Sequence, residues 1–306
     1  MLVTGANGFV GCAVCRRLKE NGFPVTVRAS FDLLAHEQQW QTVLRENEVV
    51  VHTAAQVHVL KPSSNGLANG FMETNVEGTK RLASACEGAG SVRRFIFLSS
   101  AAVYGRPCDG VLTEDDRLAP ELQDWYGRSK LLAETWLAEF SKQSHMEMMI
   151  LRPPLVYGPG GPGNFLRLLR SIHAGLPLPF RAVSNRRTLG GIRNLTGLIM
   201  RCIWHPATDR KAFNACDGQD ISTPALIERL ARHLQRPARL FPVPNVPNVV
   251  LRGAGYLLGR SQDVQRLTTS LRLSCEKAKT AAGWTHEASL DEDLAEVVSW
   301  YQAVAR

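Results

Sequence analysis

The chain has 306 residues, of which 44% are hydrophobic and 21% are charged, and its net charge is +8. This composition is typical of a globular protein with one large or two modest domains, and the sequence has no low-complexity tract or internal repeat. No apolar run approaches the ~20 residues of a membrane-spanning helix, so no membrane partner is expected. The apolar start lacks the basic region of a signal peptide, and seven scattered cysteines favour free thiols in the cytoplasm.

Short apolar runs alternate with helical patterns in the first half of the chain. The predicted strands are LVT at 2–4, VTV at 25–27, EVVVH at 48–52, FIFL at 95–98 and MMIL at 148–151. The predicted helices cover 13–19, 75–88 and 126–142. This alternation predicts an α/β fold, a Rossmann-type doubly wound parallel sheet with helices on both faces.

The pattern changes after about residue 160, where proline clusters separate predicted helices at 223–234 and 290–305. We therefore expect a Rossmann domain over 1–160 and a smaller, mostly helical domain over 161–306. Part of 185–205 is expected to return to the first domain.

The glycines of TGANGFVG, at residues 4–11, directly follow a predicted strand and open a helix. Gly5 permits the sharp turn, Gly8 lets the backbone approach a pyrophosphate, and Gly11 allows close packing of helix and sheet. Phosphates then bind at the helix N-terminus. The loop therefore predicts a dinucleotide cofactor and a dinucleotide-binding first domain.

The end of the second predicted strand bears on which dinucleotide is bound. An NAD site usually has an acid there, whereas this chain has Arg28 followed by Ala29 and Ser30. Arg28 could bind a 2′-phosphate, so the sequence mildly favours NADP. Asp32, an acid of the kind found in NAD sites, lies close by. Both NAD and NADP stay open.

Two further features concern metals and anions. Cys12 and Cys15 form a CxxC pattern, but no second pair or nearby histidines complete a zinc site, so no metal is predicted. Nine basic residues and one acid lie within 165–211, a segment that attracts anions. It lacks interleaved aromatics and any nucleic-acid module, so a small phosphorylated ligand is expected rather than nucleic acid.

The motifs together resemble the extended short-chain dehydrogenase/reductase family of NAD-dependent epimerase/dehydratase type, in particular its nucleotide-sugar 4-epimerase and 4-keto-reductase branch. They are TGANGFVG at 4–11, HTAA at 52–55, NVEGT at 75–79, LSSAAVYG at 98–105, YGRSK at 126–130, LRPPLVYGPG at 151–160 and NRR at 185–187. The resemblance covers nearly the whole chain. It implies an NAD(P)-dependent enzyme, with 161–306 as the substrate domain, and the family further implies a homodimer.

The resemblance also implies roles for individual residues. The catalytic set is Ser100, Tyr126 and Lys130. The cofactor-binding residues are Gly5, Asn7, Gly8, Phe9, Val10, Gly11, Arg28, Asp32, Leu33, Ala54, Ala55, Asn75, Tyr126, Lys130 and Pro153. The substrate-binding residues are Ser100, Tyr126, Asn164 and Arg187.

The chemistry of the catalytic set agrees with these roles. A tyrosine titrates near ~10, and a neighbouring cation lowers that pKa. Tyr126 and Lys130 are spaced i,i+4 on one helix face, and Ser100 ends the FIFL strand. Tyr126 is thus expected to exchange a proton with a sugar hydroxyl during hydride transfer, while Ser100 binds the same oxygen.

Asn75 and three other polar residues have simpler interpretations. Asn75 is typical of a helix N-cap, and the resemblance implies that it also shapes a water path behind Tyr126. His52 is expected to end a strand beneath the cofactor without being a ligand. Tyr104 and Tyr157 lack a lysine one turn later and are expected in the wall or core.

The residues after Ser100 limit which reactions of this family are expected. Dehydratases of this family carry Asp-Glu there, whereas this chain has Ala101 and Ala102, so 4,6-dehydration is not expected. The leading prediction is a UDP-hexose 4-epimerase that acts through a transient 4-keto sugar and supplies polysaccharide biosynthesis. The alternative is an NAD(P)H-dependent reductase of a UDP-4-keto-sugar, and a UDP-N-acetylhexosamine is a further candidate substrate.

Two other functional classes fit the sequence less well. A non-catalytic dinucleotide sensor would not need the Ser–Tyr–Lys set. A reductase of small uncharged carbonyls would leave Arg186 and Arg187 without a ligand.

Three departures from the family pattern bear on the ligands. Pro154 and Leu155 stand where 4-epimerases have an asparagine that contacts the nucleotide diphosphate. Asn164, Arg187 or both are candidates for that contact, and Arg187 is favoured because a guanidinium binds phosphate in a bidentate manner. NLT follows Arg193 where relatives usually have Asp before Asn-Leu. The stretch before Phe31-Asp32-Leu33 is short, which indicates an abbreviated adenosine pocket or an omitted segment.

Overall fold

The central sheet is parallel and six-stranded. The computed structural model describes residues 1–28, 37–57, 70–105, 110–242 and 267–305. The strands are β1 (Leu2–Thr4), β2 (Thr26–Arg28), β3 (Val49–His52), β4 (Arg94–Leu98), β5 (Glu147–Arg152) and β8 (Lys211–Asn214). Their order is β2-β1-β3-β4-β5-β8, and Val3 lies opposite both Val27 and Val51.

Helices cover both faces of this sheet. One face packs against α1 (Phe9–Glu20), α6 (Ile192–Trp204) and α8 (Glu276–Ala282). The other packs against α2 (Glu37–Leu44), α3 (Gly78–Ala89) and α4 (Trp125–Phe140). Successive residues of a strand point to opposite faces, so Val50 and Val51 belong to different cores. This double burial explains why the inner strands β1, β3, β4 and β5 are mainly apolar, and the predicted Rossmann-type fold is confirmed.

A smaller, mostly helical lobe surrounds a three-stranded sheet. Its strands are β6 (Leu155–Tyr157), β7 (Arg187–Gly191) and β9 (Asp220–Ile221). Its core includes α5 (Asn164–His173), α7 (Thr223–His233) and α9 (Leu290–Val304). The chain first leaves the central sheet after β5, since β6 already belongs to the three-stranded sheet. Residues beyond the expected boundary at 160 return to it, because α6, β8 and α8 pack with the central sheet.

The N-caps of α1 and α4 mark where these two helices begin. Gly8 is the N-cap of α1, so the helix starts four residues before the predicted position 13. Asp124 accepts a hydrogen bond from the Gly127 N–H at 2.9 Å, which starts α4 at Trp125. Before α3, a π-helical turn covers Met72–Glu77. Among the described residues, no helix is long and apolar enough to cross a bilayer.

The strand order identifies where a ligand is expected to bind. The chain runs from β1 outward to β2 and then returns to β3 on the other side of β1. Ligands of open parallel sheets bind outside the carboxyl ends of the strands at such a switch point. The loop 5–8 follows β1 and Ala54 follows β3, so both predicted cofactor segments lie at this position.

Candidate active site

The loop between β1 and α1 depends on glycine at two positions. Gly5 has φ +70°, and a Cβ there would lie 2.6 Å from the Ala54 backbone nitrogen. A Cβ on Gly11 would lie 2.2 Å from the Gly5 carbonyl oxygen. Both distances are far shorter than van der Waals contact. The turn and the close approach of helix to sheet therefore require glycine, which has no Cβ, at both positions.

The same loop forms an anion-binding helix N-terminus. A Cβ on Gly8 would contact only the Gly5 oxygen, at 3.2 Å, which leaves open space before the first turn of α1. That turn contains no acidic residue, and its free N–H groups favour negative charge. The residues therefore fit the pyrophosphate of a dinucleotide.

The other predicted cofactor residues of the switch point have distinct positions. Arg28 ends β2, where its carbonyl accepts from the Gly5 N–H at 2.8 Å and its Nη1 donates to the Val27 oxygen at 2.9 Å. Asn7 is exposed, and Val10 and Ala55 are partly buried. Predicted residues Asp32 and Leu33 lie outside the described residues.

A glycine-rich segment after β6 covers Phe9. Cβ atoms on Gly158 and Gly161 would lie 3.3 Å and 3.2 Å from Phe9 Cζ. The segment that leads from the second sheet to α5 therefore packs on the glycine loop.

Ser100, Tyr126 and Lys130 lie on two segments that pack together at the carboxyl end of β4. The Lys130 Nζ donates to the Leu98 carbonyl at 2.7 Å, two residues before Ser100. Ser100 caps the 3-10 turn 101–104, and its Oγ accepts from the Ala102 N–H at 3.1 Å. Tyr126 lies one turn before Lys130 on α4, and its ring packs edge-on against Phe71 with 6.5 Å between the ring centroids. The structure thus brings together the three residues predicted as catalytic.

Gly127 allows α4 to approach the 3-10 turn this closely. A Cβ at this position would lie 2.8 Å from the Ala102 oxygen and 2.6 Å from Asp124 Oδ2. The glycine in the YGRSK motif therefore positions its neighbour Tyr126 against the segment that carries Ser100.

Lys130 is a buried cation. Only 1% of its surface is exposed, and its Nζ lies 4.6 Å from the centre of the Phe97 ring. Burial lowers its pKa to about 7, although the carboxylate of Glu134 opposes this shift. A small change in nearby charge therefore changes how much of Lys130 is protonated near neutrality.

His52 ends β3 as a buried, neutral residue. Its Nδ1 lies 2.6 Å from Thr4 Oγ1, and its Nε2 lies 2.9 Å from Thr79 Oγ1. Burial, with a smaller contribution from the charge of Lys130, lowers the pKa of His52 to about 3. Both ring nitrogens are occupied by hydroxyl groups, which agrees with a structural role.

The prediction that Asn75 is a helix N-cap is wrong. Asn75 lies inside the π-helical turn, because helical backbone already begins at Gly70. Its Oδ1 accepts from the Gln56 N–H at 2.7 Å, and its Nδ2 donates to the Gln56 oxygen at 3.0 Å and to Ser129 Oγ at 2.9 Å. Asn75 therefore joins the loop after β3 to α4, and π-helical turns are frequent at functional sites.

A buried ion pair behind Lys130 was missed by the sequence analysis. Arg152 Nη2 donates to Glu134 Oε2 at 2.7 Å, and Arg152 Nη1 donates to the Tyr104 hydroxyl at 3.1 Å. That hydroxyl donates to Asn214 Oδ1 at 2.8 Å. The i,i+4 spacing from Lys130 to Glu134 was a signal in the sequence. Tyr104 is buried, as expected, and so is Tyr157.

The predicted substrate residues Asn164 and Arg187 lie in the smaller lobe. Asn164 begins α5, and its Oδ1 accepts from Arg167 while its buried Nδ2 has no hydrogen-bond partner among the described residues. Arg187 begins β7, and its Nη1 donates to the Thr269 carbonyl at 3.0 Å. Pro153, predicted to bind cofactor, is buried after β5 and its oxygen accepts from the Ala101 N–H at 2.8 Å.

Comparison with known proteins places this site in a family. The model of the NAD dependent epimerase/dehydratase family matches residues 1–216. UDP-glucose 4-epimerase of Vibrio cholerae is 36% identical over 319 residues, which cover 95% of this chain and 92% of that protein. GDP-6-deoxy-D-mannose reductase of Pseudomonas aeruginosa is 26% identical over 242 residues, which cover 76% and 79%. The structure of MoeE5 in complex with UDP-glucuronic acid and NAD is 25% identical, with a TM-score of 0.79 over 99% of each chain.

The chain belongs to the NAD dependent epimerase/dehydratase family. It is an NAD(P)-dependent enzyme of the epimerase and oxidoreductase type, as the motifs implied.

Proposed function

We propose that this enzyme is a nucleotide-sugar 4-epimerase that interconverts UDP-hexoses through a transient 4-keto sugar. The observation that carries the proposal is the buried amino group of Lys130, which lies one helical turn from Tyr126 and donates to the backbone two residues before Ser100. The UDP-glucose 4-epimerase of Vibrio cholerae, which aligns over nearly the whole chain, supports the choice of reaction.

Ser100, Tyr126 and Lys130 have different roles in the proposed proton transfer. A bound nicotinamide dinucleotide would supply the hydride chemistry, oxidation at the 4-carbon followed by re-reduction. Tyr126 takes the proton of the 4-hydroxyl group and later returns it to the 4-keto oxygen. The ammonium of Lys130 stabilises the phenolate of Tyr126 before it takes this proton and again after it has returned it. Because Ser100 Oγ already accepts from the Ala102 N–H, its own hydrogen is available to donate to the sugar oxygen.

The glycine loop would hold the pyrophosphate of the cofactor, with Gly5 and Gly11 fixing the turn and Gly8 leaving room in front of α1. Arg28 lies at the end of β2, beside the loop, where it would contact the adenosine ribose or its phosphate. Asn75 would hold the segment after β3, which includes Ala54 and Ala55, against α4.

A substitution of Tyr126 tests the catalytic role. Tyr126→Phe should fold and retain dinucleotide, yet lose about 10²-fold or more of turnover, because a positioned acid–base group contributes that much. Tyr301→Phe is the matched control, since Tyr301 packs in the smaller lobe against His173. Retained turnover in Tyr126→Phe would refute the assignment.

Arg187 is proposed to bind the substrate diphosphate. Arg187→Ala should raise the KM for UDP-sugar about tenfold or more, since a charge-assisted hydrogen bond contributes ~1.5–3 kcal/mol. Arg170→Ala, which removes an exposed arginine of α5, is the control. An unchanged KM in Arg187→Ala would show that Arg187 does not bind the diphosphate. Asn164 would then be the next candidate.

The second candidate is an NAD(P)H-dependent reductase of a UDP-4-keto-sugar, which the lack of an acid directly after β2 and the similarity to a GDP-6-deoxy-D-mannose reductase favour. Denaturing the purified protein and identifying any released dinucleotide separates the two. Tightly held NAD⁺ is expected for an epimerase, which recycles the cofactor within each turnover. A protein that releases no dinucleotide but binds added NADPH would favour the reductase.

A further inference from the structure

One guanidinium group joins the two segments that carry the residues proposed as catalytic. Arg152, at the end of β5, lies between α4 and the 3-10 turn 101–104, and only 6% of its surface is exposed. Its Nε and Nη2 donate to Glu134 Oε2 at 3.1 Å and 2.7 Å. Its Nη1 donates to the Tyr104 hydroxyl at 3.1 Å and to the Glu114 carbonyl oxygen at 3.2 Å. Both hydrogens of Nη1 therefore have an acceptor.

These contacts lie close to the proposed catalytic residues without including them. Glu134 follows Lys130 by one turn of α4. Tyr104 is the last residue of the 3-10 turn that Ser100 caps. Arg152 therefore holds both segments at a short distance from the residues that would touch the substrate.

Two separate contacts fix α4 against the 3-10 turn and the strand that leads into it. The first is at Lys130, whose Nζ donates to the Leu98 carbonyl oxygen at 2.7 Å. The second is the path from Glu134 through Arg152 to Tyr104, called here the guanidinium link. A helix held at one point can rotate about that point, whereas a second contact one turn further along prevents the rotation. The guanidinium link therefore fixes how α4 is oriented towards the turn.

The Tyr104 hydroxyl is a central part of the guanidinium link. It accepts from Arg152 and donates its single hydrogen to Asn214 Oδ1 at 2.8 Å. Asn214 ends β8, and its own N–H donates to Glu114 Oε1 at 2.6 Å. Tyr104 and Asn214 are both buried. A buried polar network whose members all have partners is rigid, so the phenol ring of Tyr104 is held in one position.

The ionic character of the link indicates a role in geometry. A buried ion pair adds little stability compared with well-packed apolar side chains of similar volume. A planar guanidinium, in contrast, presents several donors in fixed directions and so sets the relative positions of its acceptors. Arg152 has acceptors on α4, on the 3-10 turn and on the segment of Glu114.

We propose that Arg152 and Tyr104 are positioning residues that hold Ser100 at its working distance from Tyr126. The inference rests on the proposed function, in which Ser100 and Tyr126 contact the same sugar oxygen. Arg152 and Tyr104 act on that oxygen only through the two segments that they join. Loss of the guanidinium link therefore slows the chemical step and leaves the binding of the substrate diphosphate unchanged.

Tyr104→Phe tests the link, because it removes one hydroxyl group and keeps the ring. At a temperature at which circular dichroism shows the variant to be folded, kcat should fall about tenfold or more, since displacing the reacting groups by a fraction of an ångström to 1 Å has an effect of this size. The KM for UDP-sugar should stay at its wild-type value. Glu134 keeps its partner in this variant, so the alkaline limb of the pH profile should not move.

Tyr301→Phe is the matched control. Tyr301 is also buried, and its hydroxyl lies 3.1 Å from His173 Nδ1 in the smaller lobe. This variant loses a buried hydroxyl group away from α4, so its kcat should equal that of the wild type.

A second substitution tests whether Arg152 and Tyr104 act as one unit. Arg152→Lys keeps the positive charge but loses the fork of donors, so kcat should again fall at unchanged KM. Adding Tyr104→Phe to Arg152→Lys should lower kcat by less than about twofold further, because residues that act through one contact are not additive. Losses that multiply in the double variant would overturn the proposal.

Wild-type kcat in Tyr104→Phe, or an equal loss of kcat in Tyr301→Phe, would also overturn it. Tyr126→Phe in the same assay separates this failure from a failure of the proposed function. Normal turnover in Tyr126→Phe would refute the proton chemistry and the positioning role together. An inactive Tyr126→Phe enzyme beside a fully active Tyr104→Phe enzyme would reject the guanidinium link alone.

Discussion

Lys130 combines burial and charge in a way that makes its protonation sensitive to its neighbours. Its ammonium is removed from water, which lowers its pKa to about 7, and the carboxylate of Glu134 limits that shift. Glu134 in turn is held by Arg152 in an ion pair in which both side chains are almost fully buried. If Lys130 supports the phenolate of Tyr126, the Glu134–Arg152 pair sets the pH range in which that support is present.

Glu134→Gln should shift the alkaline limb of the pH–activity profile to lower pH. Lys130 loses its charge as the pH rises through its pKa, and removal of a nearby negative charge lowers that pKa further. The expected shift is about 1 pH unit, because charges one helical turn apart at an effective dielectric constant of ~20 interact by more than the ~1.4 kcal/mol of one pKa unit. The measurement is kcat/KM between pH 6 and 9.

Glu139→Gln on the same helix is the control for this shift. Glu139 forms an exposed pair with Lys142, where solvent screens the charge. Its profile should match that of the wild type. A Glu134→Gln enzyme that keeps its helical circular dichroism and shows an unshifted alkaline limb would contradict the role assigned to this carboxylate.

At the scale of a helix, α4 illustrates how packing overrides intrinsic propensity. Alanine favours a helix by ~1 kcal/mol over glycine, so Gly127→Ala would be expected to stabilise α4 in isolation. In the protein its Cβ would meet the Ala102 oxygen at 2.8 Å. We expect Gly127→Ala to lower the melting temperature by several degrees and to lower kcat, because α4 must move away from the segment of Ser100.

Gly110→Ala is the comparison for this effect. Among the described residues, nothing lies within 4 Å of a Cβ at Gly110, so this substitution should leave both the melting temperature and kcat near their wild-type values. Equal melting temperatures and kcat values for the Gly127→Ala and Gly110→Ala variants would show that the close approach of α4 to the 3-10 turn is not required.

The elements that could be predicted from the sequence are those with a strong local signal. Strands β1 to β5 were predicted from short apolar runs, and α3, α4, α7 and α9 have helical spacing, so their existence followed from pattern alone. Strand β8, with the sequence KAFN, has no such run and was not predicted. β6 and β9 have only three and two residues, too few for any period to show. The π-helical turn was also hidden, because the contacts of Asn75 with Gln56 and Ser129 join segments distant in sequence.

The candidate site shows the same division between local and distant information. Ser100, Tyr126 and Lys130 were predicted from motifs, and their common position near the end of β4 follows from the fold. Arg152 belongs to the motif LRPPLVYGPG, but its partner Glu134 lies on another element. Their pairing could be assigned only from the structure. Sequence spacing gives the face of a helix on which a residue lies, whereas tertiary packing decides which residue it meets.

At the scale of the whole molecule, a buried carboxyl pair lies where the smaller lobe meets the central sheet. Asp217 accepts hydrogen bonds from the Gly191 N–H at 2.7 Å and from Asn194 Nδ2 at 2.9 Å. Asp293 at the start of α9 is equally buried, and neither of its oxygens has a hydrogen-bond partner among the described residues. Its nearest ion-pair partner is Arg193, at 3.8 Å. Burial and then the charge of Asp217 raise the pKa of Asp293 to about 7.

This carboxyl pair should make the folded chain less stable as the pH rises from about 4 to 7. The folded state holds a proton on Asp293 up to about pH 7, whereas the unfolded chain releases it near 3.8, so between these values the folded state binds more protons. The free energy of unfolding then falls with increasing pH, by at most about 4 kcal/mol for a shift of this size.

Asp293→Asn removes the titration, and it should leave stability near pH 4 close to wild type while raising it at pH 8. Urea unfolding at both pH values measures the difference, with Asp291→Asn, an exposed aspartate of the same helix, as the control. If wild type and Asp293→Asn differ equally at pH 4 and pH 8, Asp293 is ionised in the folded protein across this range, and Arg193 rather than a retained proton balances its burial.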